Sequence, residues 1–421
     1  MKQLHKKFST EQVIELLEKY EGEKVERKAL EEILDVSKAH FFRLLQQYRA
    51  DKENFSIGYK RNIATNEIED EVDEFIVEEL KIQKRLIDNT EIPIRRYNYS
   101  YAVGEILRKY KVKVSLQTII NRAKLWGYYK NKGKVHKAHD RVVYTNSTGD
   151  LIQHDSSYHL FAPLSGERWY LITSIDDYSR LLLYARLIEA ESSMEHIKSL
   201  EKVFLHHGFP VRYYVDRHSI FEYIPGRDDN LFHKSYYVKA SEIDTQWQQV
   251  LNDCNVRSEP ALSPQAKGKV ERPYQWIQDH MVRRCDSQKI VKIEDAQEIL
   301  DEEIETYNYK IVHSTTKEVP YYRFKRALKE GNSLWRKFEV PKPFLSKKDI
   351  FCLRFKRTAD GYRTISLKTK KLQVNGLNPY DDVDVRVYKL NNQMSELRFW
   401  RNQRLLDTQI IQNDSLKGIN F

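Results

Sequence analysis

The feature that most constrains this chain is a change of hydrophobic rhythm near residue 148. Up to that point apolar residues recur at helical spacing. From there DLIQHDSSYHLF, WYLITSIDD and LLLYARLI carry alternating or continuous apolar runs rich in β-branched and aromatic residues, which predicts three successive strands. A helix follows over SSMEHIKSLEKVFLHHG, ending at Gly208 ahead of Pro210. Then come a short strand VRYYVD, a helix around SEIDTQWQQVLNDC, a short strand VRSEPA and a long helix from about Gln265. Three strands followed by alternating helix and strand predict an α/β core with a mixed sheet over residues 148–285.

At 421 residues the chain exceeds one ordinary core and predicts three or four units. Residues 1–55 read as three short helices in which the turn DVS leads into SKAHFFRLLQQYR with Ser37 as N-cap, the rhythm of a helix-turn-helix. Its last helix offers Lys38, His40, Arg43, Gln46, Gln47 and Arg49 to a DNA groove; the plainer reading is a small bundle with a solvated charged helix. Residues 56–130 repeat the plan with an acidic helix, SYAVGEILRKY, a strand-like turn KVKVS and a helix capped by Ser115. That helix presents Asn121, Arg122 and Lys124 beside an apolar stripe of Leu116, Ile119, Ile120 and Ala123, which is core by default.

Residues 131–147 form a basic linker suited to tracking phosphates. Contacts are expected at positions 131, 133 and 135, but the residues there are Asn131, Gly133 and Val135; the lysines of the run are Lys130, Lys132, Lys134 and Lys137. After the core, residues 286–338 read as a helical connector with a basic arm. Residues 339–421 read as short strands separated by ADG, NGLNPYDD and NNQ turns, for which a small β-barrel is the economical fold.

The charge balance narrows the partners. With 71 Lys+Arg against 61 Asp+Glu the formal net charge is +10, which favours a polyanion, and nucleic acid first. Cys254, Cys285 and Cys352 lie far apart, without a CxxC pair or zinc-ligand spacing, so neither a disulfide framework nor a structural zinc is expected. The N-terminal residues are polar and amphipathic, and no run is long enough to cross a bilayer. A reducing cytoplasmic location without membrane partners is the expectation.

Among 61 acidic residues, spacing alone selects nothing. Position selects three. Asp155 lies in the first core strand, Asp216 at the end of the fourth, and Glu271 on the long helix, one turn past Gly268. Three acids from separate elements can converge on one spot. Oxygen ligands suit hard divalent cations such as Mg²⁺ or Mn²⁺, and a pair of ions about 4 Å apart serves in-line phosphoryl displacement. No side-chain nucleophile is then required.

The segments QHD (153–155), YVDRHSIF (214–221) and SPQAKGKVER (263–272) resemble the integrase-core transposases of bacterial insertion sequences, particularly the group catalogued as not classified yet. Retroviral integrases and the transposase of phage Mu share that core. The resemblance is strongest over residues 150–285 and weakest in the C-terminal strands. It implies an RNase H-like core in which Asp155, Asp216 and Glu271 hold two metal ions. It further implies 3′-end cleavage and joining to target DNA, recognition of terminal inverted repeats in double-stranded DNA, and a dimer or larger synaptic assembly, with nucleoid association in a bacterial cell. Two features depart from it. Residues 222–240 look inserted, leaving Glu222, Asp228 and Asp229 as competing acids, and the His/Cys zinc module of retroviral integrases is missing.

Other conspicuous residues have plainer readings. Asp176 and Asp177 suit a structural role in a hairpin turn better than metal binding. His154 and His218 flank proposed ligands and suit either substrate phosphate or a supporting role. Lys267, Lys269 and Arg272 surround Glu271 and read as phosphate contacts or as charge balance. The 27 tyrosines form no recognisable tyrosine-recombinase constellation. Two rivals remain: a domesticated DNA-binding regulator without turnover, and a metal-dependent RNase H-like nuclease that cuts without joining.

Overall fold

The computed structural model describes residues 4–58, 69–130, 145–216, 220–221, 245–260, 271–367 and 370–416, with the backbone alone at 271–273. Two compact units emerge, residues 1–73 and 74–421.

In the first unit, α1 (Thr10–Glu21), α2 (Arg27–Leu34) and α3 (Lys38–Ala50) enclose Val13, Leu17, Leu30, Leu34, Phe41 and Leu45. Ser9 and Gln12 form a reciprocal capping box at α1. Asp35 ends α2 in the left-handed region at φ 54°, and the Ser37 hydroxyl caps α3 by accepting from the His40 N–H. The expected three-helix rhythm is present.

The second unit starts within α4 (Asp70–Asp88) and continues through α5 (Tyr99–Tyr110) and α6 (Leu116–Leu125). The KVKVS segment is irregular rather than strand-like, because a single strand needs a partner and none lies beside it among the described residues. The apolar stripe of α6 is also narrower than its sequence implies: Ile119 and Ala123 are buried, whereas Leu116 is 45% exposed. Helices α4–α6 bury Ile76, Leu80, Ala102, Ile106, Ile119 and Ala123, and the segment also joins the main core. Leu86, Ile92 and Ile94 bury in one cluster with Trp169, Leu171, Ile277 and Met281. Arg85 Nη2 donates to both carboxylate oxygens of Asp286, at 2.8 and 2.6 Å, and Arg283 donates to the Arg96 carbonyl at 2.8 Å. A domain boundary at residue 130 therefore crosses a packed interface.

The central sheet comprises β1 (Leu151–His159), β2 (Trp169–Asp176), β3 (Leu182–Ile188), β4 (Arg212–Val215) and β5 (Arg257–Pro260), in the order β3-β2-β1-β4-β5. The first three strands are antiparallel, and β1, β4 and β5 are parallel. Alternation along β1 and β2 sends odd-numbered residues to one face and even-numbered residues to the other. The even face packs Ile152 against α7 (Ser193–His207) and α8 (Gln246–Asp253), with Leu200, Phe204 and Trp247 fully buried. The odd face packs Leu171 and Ile175 against α9 (Glu271–Ser287) and α10 (Ile293–Tyr309).

The expected connector after residue 285 belongs to this layer. The Asn308 side chain of α10 accepts from the Leu182 N–H and donates to its carbonyl, both at 3.0 Å, and the Leu187 N–H donates to Gln297 at 2.8 Å. Side chains of α10 thus occupy hydrogen-bonding groups of the edge strand β3.

Beyond α11 (Pro320–Lys329), residues 331–338 clasp one end of the sheet. Bridges join Thr148 to Ser333 and Phe209 to Arg336. A Cβ on Gly149 (φ 78°) would lie 2.8 Å from the Trp335 ring, and one on Gly208 (φ 95°) would lie 2.1 Å from the Arg336 carbonyl oxygen, so both positions require glycine. Arg336, part of the expected basic arm, gives its guanidinium to the carbonyls of Pro210, Cys254 and Asn255.

After α12 (Lys347–Ile350) come β6 (Leu353–Thr358), β7 (Thr364–Leu367), β8 (Lys370–Gln373), β9 (Asp382–Lys389), β10 (Met394–Arg401) and β11 (Arg404–Gln412). The expected barrel is not closed. An antiparallel sheet β11-β10-β9-β6 stands beside a separate β7-β8 ribbon. Side chains span the gaps where backbone ladders would close a barrel: Arg357 donates to the Ser366 carbonyl and Gln409 to the Gln373 carbonyl. The ribbon covers the sheet with Ile365, Leu367 and Leu372, in the same cluster as α7 and α8.

Candidate active site

The parallel register of β1 and β4 runs up to the two aspartates. Leu151 pairs with Arg212, Ile152 with Tyr213 and Gln153 with Tyr214, a constant offset of 61 residues. The same offset carries Asp155 to Asp216, the residue directly after β4. In-register residues of neighbouring strands direct their side chains to the same face. Asp155 is the partner of Thr173 in β2, so its side chain belongs to the odd face, under α9. Asp155, midway along β1, is partly buried, and Asp216, directly after β4, is exposed.

Helix α9 reaches this face through Tyr274. Its side chain is buried, its hydroxyl donates to the Asp155 carbonyl at 3.0 Å, and it accepts from the Thr173 hydroxyl. Burial pushes the phenol well above the usual tyrosine range, and the charges of Asp155 and Asp216 push the same way. One turn further along α9, Gln278 donates to Ser157, again on the odd face, at 3.1 Å. Glu271 is the first residue of α9, one turn before Tyr274.

Asp155 and Asp216 supply only oxygen donors, the chemistry that hard divalent cations take. Among the described residues no group of three His, Cys, Asp or Glu side chains could hold a metal ion; the side chain of Glu271 is not among them.

The neighbouring histidine serves the other face. His154 is fully buried, with Nδ1 2.9 Å from the Ser174 hydroxyl and Nε2 2.8 Å from Nδ1 of His196. His196 continues to Glu191 at 2.9 Å, which also accepts from Ser156. This burial removes His154 from any direct phosphate contact. His218 lies outside the described residues, as do Glu222, Asp228 and Asp229.

Asp176 ends β2 and Asp177 follows it, both fully buried. Asp176 accepts from the N–H groups of Gly149 and Ser179, each at 2.8 Å, and burial raises its pKa. Asp177 holds Arg180 at 2.8 Å and accepts from Thr145 and Gln153. Both are structural acids of the turn.

The basic positions fall into three groups. Lys38, Arg43, Gln46, Gln47 and Arg49 are exposed on α3 and His40 is half-buried; Arg49 pairs with Glu21 at 2.7 Å. On α6, Asn121 accepts from Gln117, Arg122 lies 5.9 Å over Trp126, and Lys124 lies 5.0 Å over Tyr129. Positions 131, 133 and 135 and residues Lys267 and Lys269 lie outside the described residues, and Arg272 is placed by its backbone alone.

Sequence reading singles out neither Tyr274 nor the RRYNY stretch. That stretch, with Leu116 and Trp276, lines a cavity of about 670 Å³ between α6 and α9. Clustered arginines and tyrosines were the available signal. No helix among the described residues is long and apolar enough to cross a membrane.

No protein-family model matches the chain. It is 24% identical over 310 residues to "Putative transposase y4bF" of Sinorhizobium fredii, covering 70% of this chain and 62% of that protein. It is 26% identical over 326 residues to the transposase for insertion sequence IS1202 of Streptococcus pneumoniae, covering 70% of this chain and 66% of that protein. The chain thus spans somewhat less than two thirds of the length of these curated relatives. Neither match speaks to the not-classified-yet grouping. Among solved structures, the HTLV-2 integrase catalytic core domain in complex with magnesium aligns at 14% identity and a TM-score of 0.31, covering 44% of this chain and 99% of that one. The simian T-cell lymphotropic virus intasome in complex with the PP2A regulatory subunit B56 gamma aligns at 13% identity and a TM-score of 0.35, covering 79% and 96%. Likeness at that level decides nothing about activity. By sequence, then, the chain is similar to a putative transposase and to the transposase of an insertion sequence.

Proposed function

We propose that this protein is a DNA transposase whose active site is formed by Asp155, Asp216 and Glu271. The observation that supports the reading is the β1–β4 register: its 61-residue offset, carried two residues beyond the Gln153–Tyr214 pair, would bring Asp216 beside Asp155 on the sheet face covered by the helix that begins at Glu271. Bound there, two Mg²⁺ or Mn²⁺ ions would polarise the scissile phosphate and neutralise charge in an in-line displacement. The chain's own part is positional. Asp155 would be offered by β1, Asp216 by the residue directly after β4, and Glu271 by the first turn of the facing helix α9. The same site would serve hydrolysis that frees a 3′-OH and attack of that 3′-OH on target DNA.

The exposed polar face of α3, and Asn121, Arg122 and Lys124 on α6, would grip double-stranded DNA at the element ends, and Lys267, Lys269 and Arg272 would contact phosphate beside the site. Joining two ends requires at least two active sites, so the working form is a dimer or a larger assembly.

The test is an incubation of full-length protein with Mg²⁺ and labelled DNA carrying the element's ends, comparing wild type with Asp155→Asn. Joined products that disappear in the variant are expected. Nicking without joining would instead identify a nuclease, and binding without cleavage a regulator.

A further inference from the structure

We propose that Tyr274 is a positioning residue that fixes the helix carrying Glu271 against the strand carrying Asp155, and so sets the spacing of the metal-binding carboxylates. The inference rests on the metal-site reading above. Tyr274 is 6% exposed, and a phenol in that setting costs stability unless its hydroxyl is paired. Here the hydroxyl is paired twice, accepting from Thr173 and donating to the Asp155 carbonyl at 3.0 Å. Thr173 and Asp155 are themselves register partners across β2 and β1. The hydroxyl therefore meets the sheet at the very residue whose carboxylate is to bind the ion.

A phenylalanine would fill the same space, but apolar packing tolerates sliding that a hydrogen bond does not. A slip of one residue along α9 shifts it about 1.5 Å and breaks the 3.0 Å contact. Gln278 repeats the arrangement one turn later on Ser157, so α9 is pinned to β1 at two successive odd-face positions. Glu271 lies one turn before the first pin. Ligand sites need geometry held to about 0.5 Å, and the pin supplies that constraint where a helix terminus would otherwise fray.

Mn²⁺ binding to the full chain, followed by electron paramagnetic resonance without DNA, tests this apart from turnover. Wild type should bind Mn²⁺, and Asp155→Asn should lose the site. Tyr274→Phe should bind roughly tenfold more weakly, in line with groups that orient metal ligands. Thr173→Val, which leaves the bond to Asp155 in place, should stay within about twofold of wild type by the same comparison. Equal affinity in wild type and Tyr274→Phe overturns the inference while leaving the metal site standing. Absence of Mn²⁺ binding in wild type overturns the metal site and the inference with it. Should Tyr274→Phe not fold, hydrogen exchange on wild type decides: Mn²⁺ should slow β1 and the first turns of α9 together, and slowing of β1 alone contradicts the pin.

Discussion

Two pairs of aspartates in the central sheet lie in opposite settings. At one end Asp176 and Asp177 are fully buried, each taken up by N–H, hydroxyl, amide or guanidinium donors. The clasp of residues 331–338 closes over Gly149 and Gly208 there, leaving no room for a side chain. Away from that end, Asp155 lies midway along β1 and Asp216 directly follows β4, two residues past the last β1–β4 pair, one partly buried and one exposed. Carboxylates enclosed by donors hold a fold together. Carboxylates that stay open to solvent can instead take a cation, the use proposed for Asp155 and Asp216.

The largest expected effect separates the two pairs cleanly. Asp155→Asn should reduce end cleavage and joining by roughly 10³-fold or more while leaving the urea unfolding midpoint near wild type. Asp176→Ala should do the reverse, costing about 4 kcal/mol in urea unfolding, because the N–H groups of Gly149 and Ser179 lose their acceptor inside the fold.

The closed end should also be the acid-sensitive one. Burial, followed by the neighbouring charges of His206 and Lys325, pushes His207 down to about 4. Its folded pKa lies below the unfolded value of roughly 6.5, so the unfolded chain binds the extra proton first as pH falls. The contribution is complete above that value and is lost between about pH 6.5 and pH 4, on the order of 3 kcal/mol in total. His207→Phe should flatten that slope in urea melts across the window. The smallest effect lies outside both settings: Arg43→Ala on α3 should weaken DNA binding by about 1 kcal/mol and lower the salt slope by about one.

Much of this contrast is legible in the sequence. The strand and helix order of the core follows from periodicity, and β1, which carries Asp155, is the neighbour of β4, which Asp216 follows. The hairpin turn marks Asp176 and Asp177 as structural, and their burial agrees. Other features depend on contacts between distant segments, which local patterns do not encode. Ile92 and Ile94 flank a proline in a short polar stretch, yet they anchor α4–α6 to the core. Trp335 resembles any arm residue, although its ring determines that position 149 is glycine. Tyr274 is one tyrosine of 27 until its hydroxyl is located at Asp155. The strand character of the C-terminal segments is plain from alternation, but whether they close into a barrel depends on backbone pairing that alternation does not specify.

If the ion site lies at Asp155 and Asp216, crystals of the full chain soaked in Mn²⁺, with data collected at the manganese absorption edge, will show it there. Anomalous peaks are expected between Asp155 and Asp216, within about 2.2 Å of carboxylate oxygens and with Glu271 completing the set. Peaks at Asp176 and Asp177, or no peak between Asp155 and Asp216 with ions bound elsewhere, would contradict it.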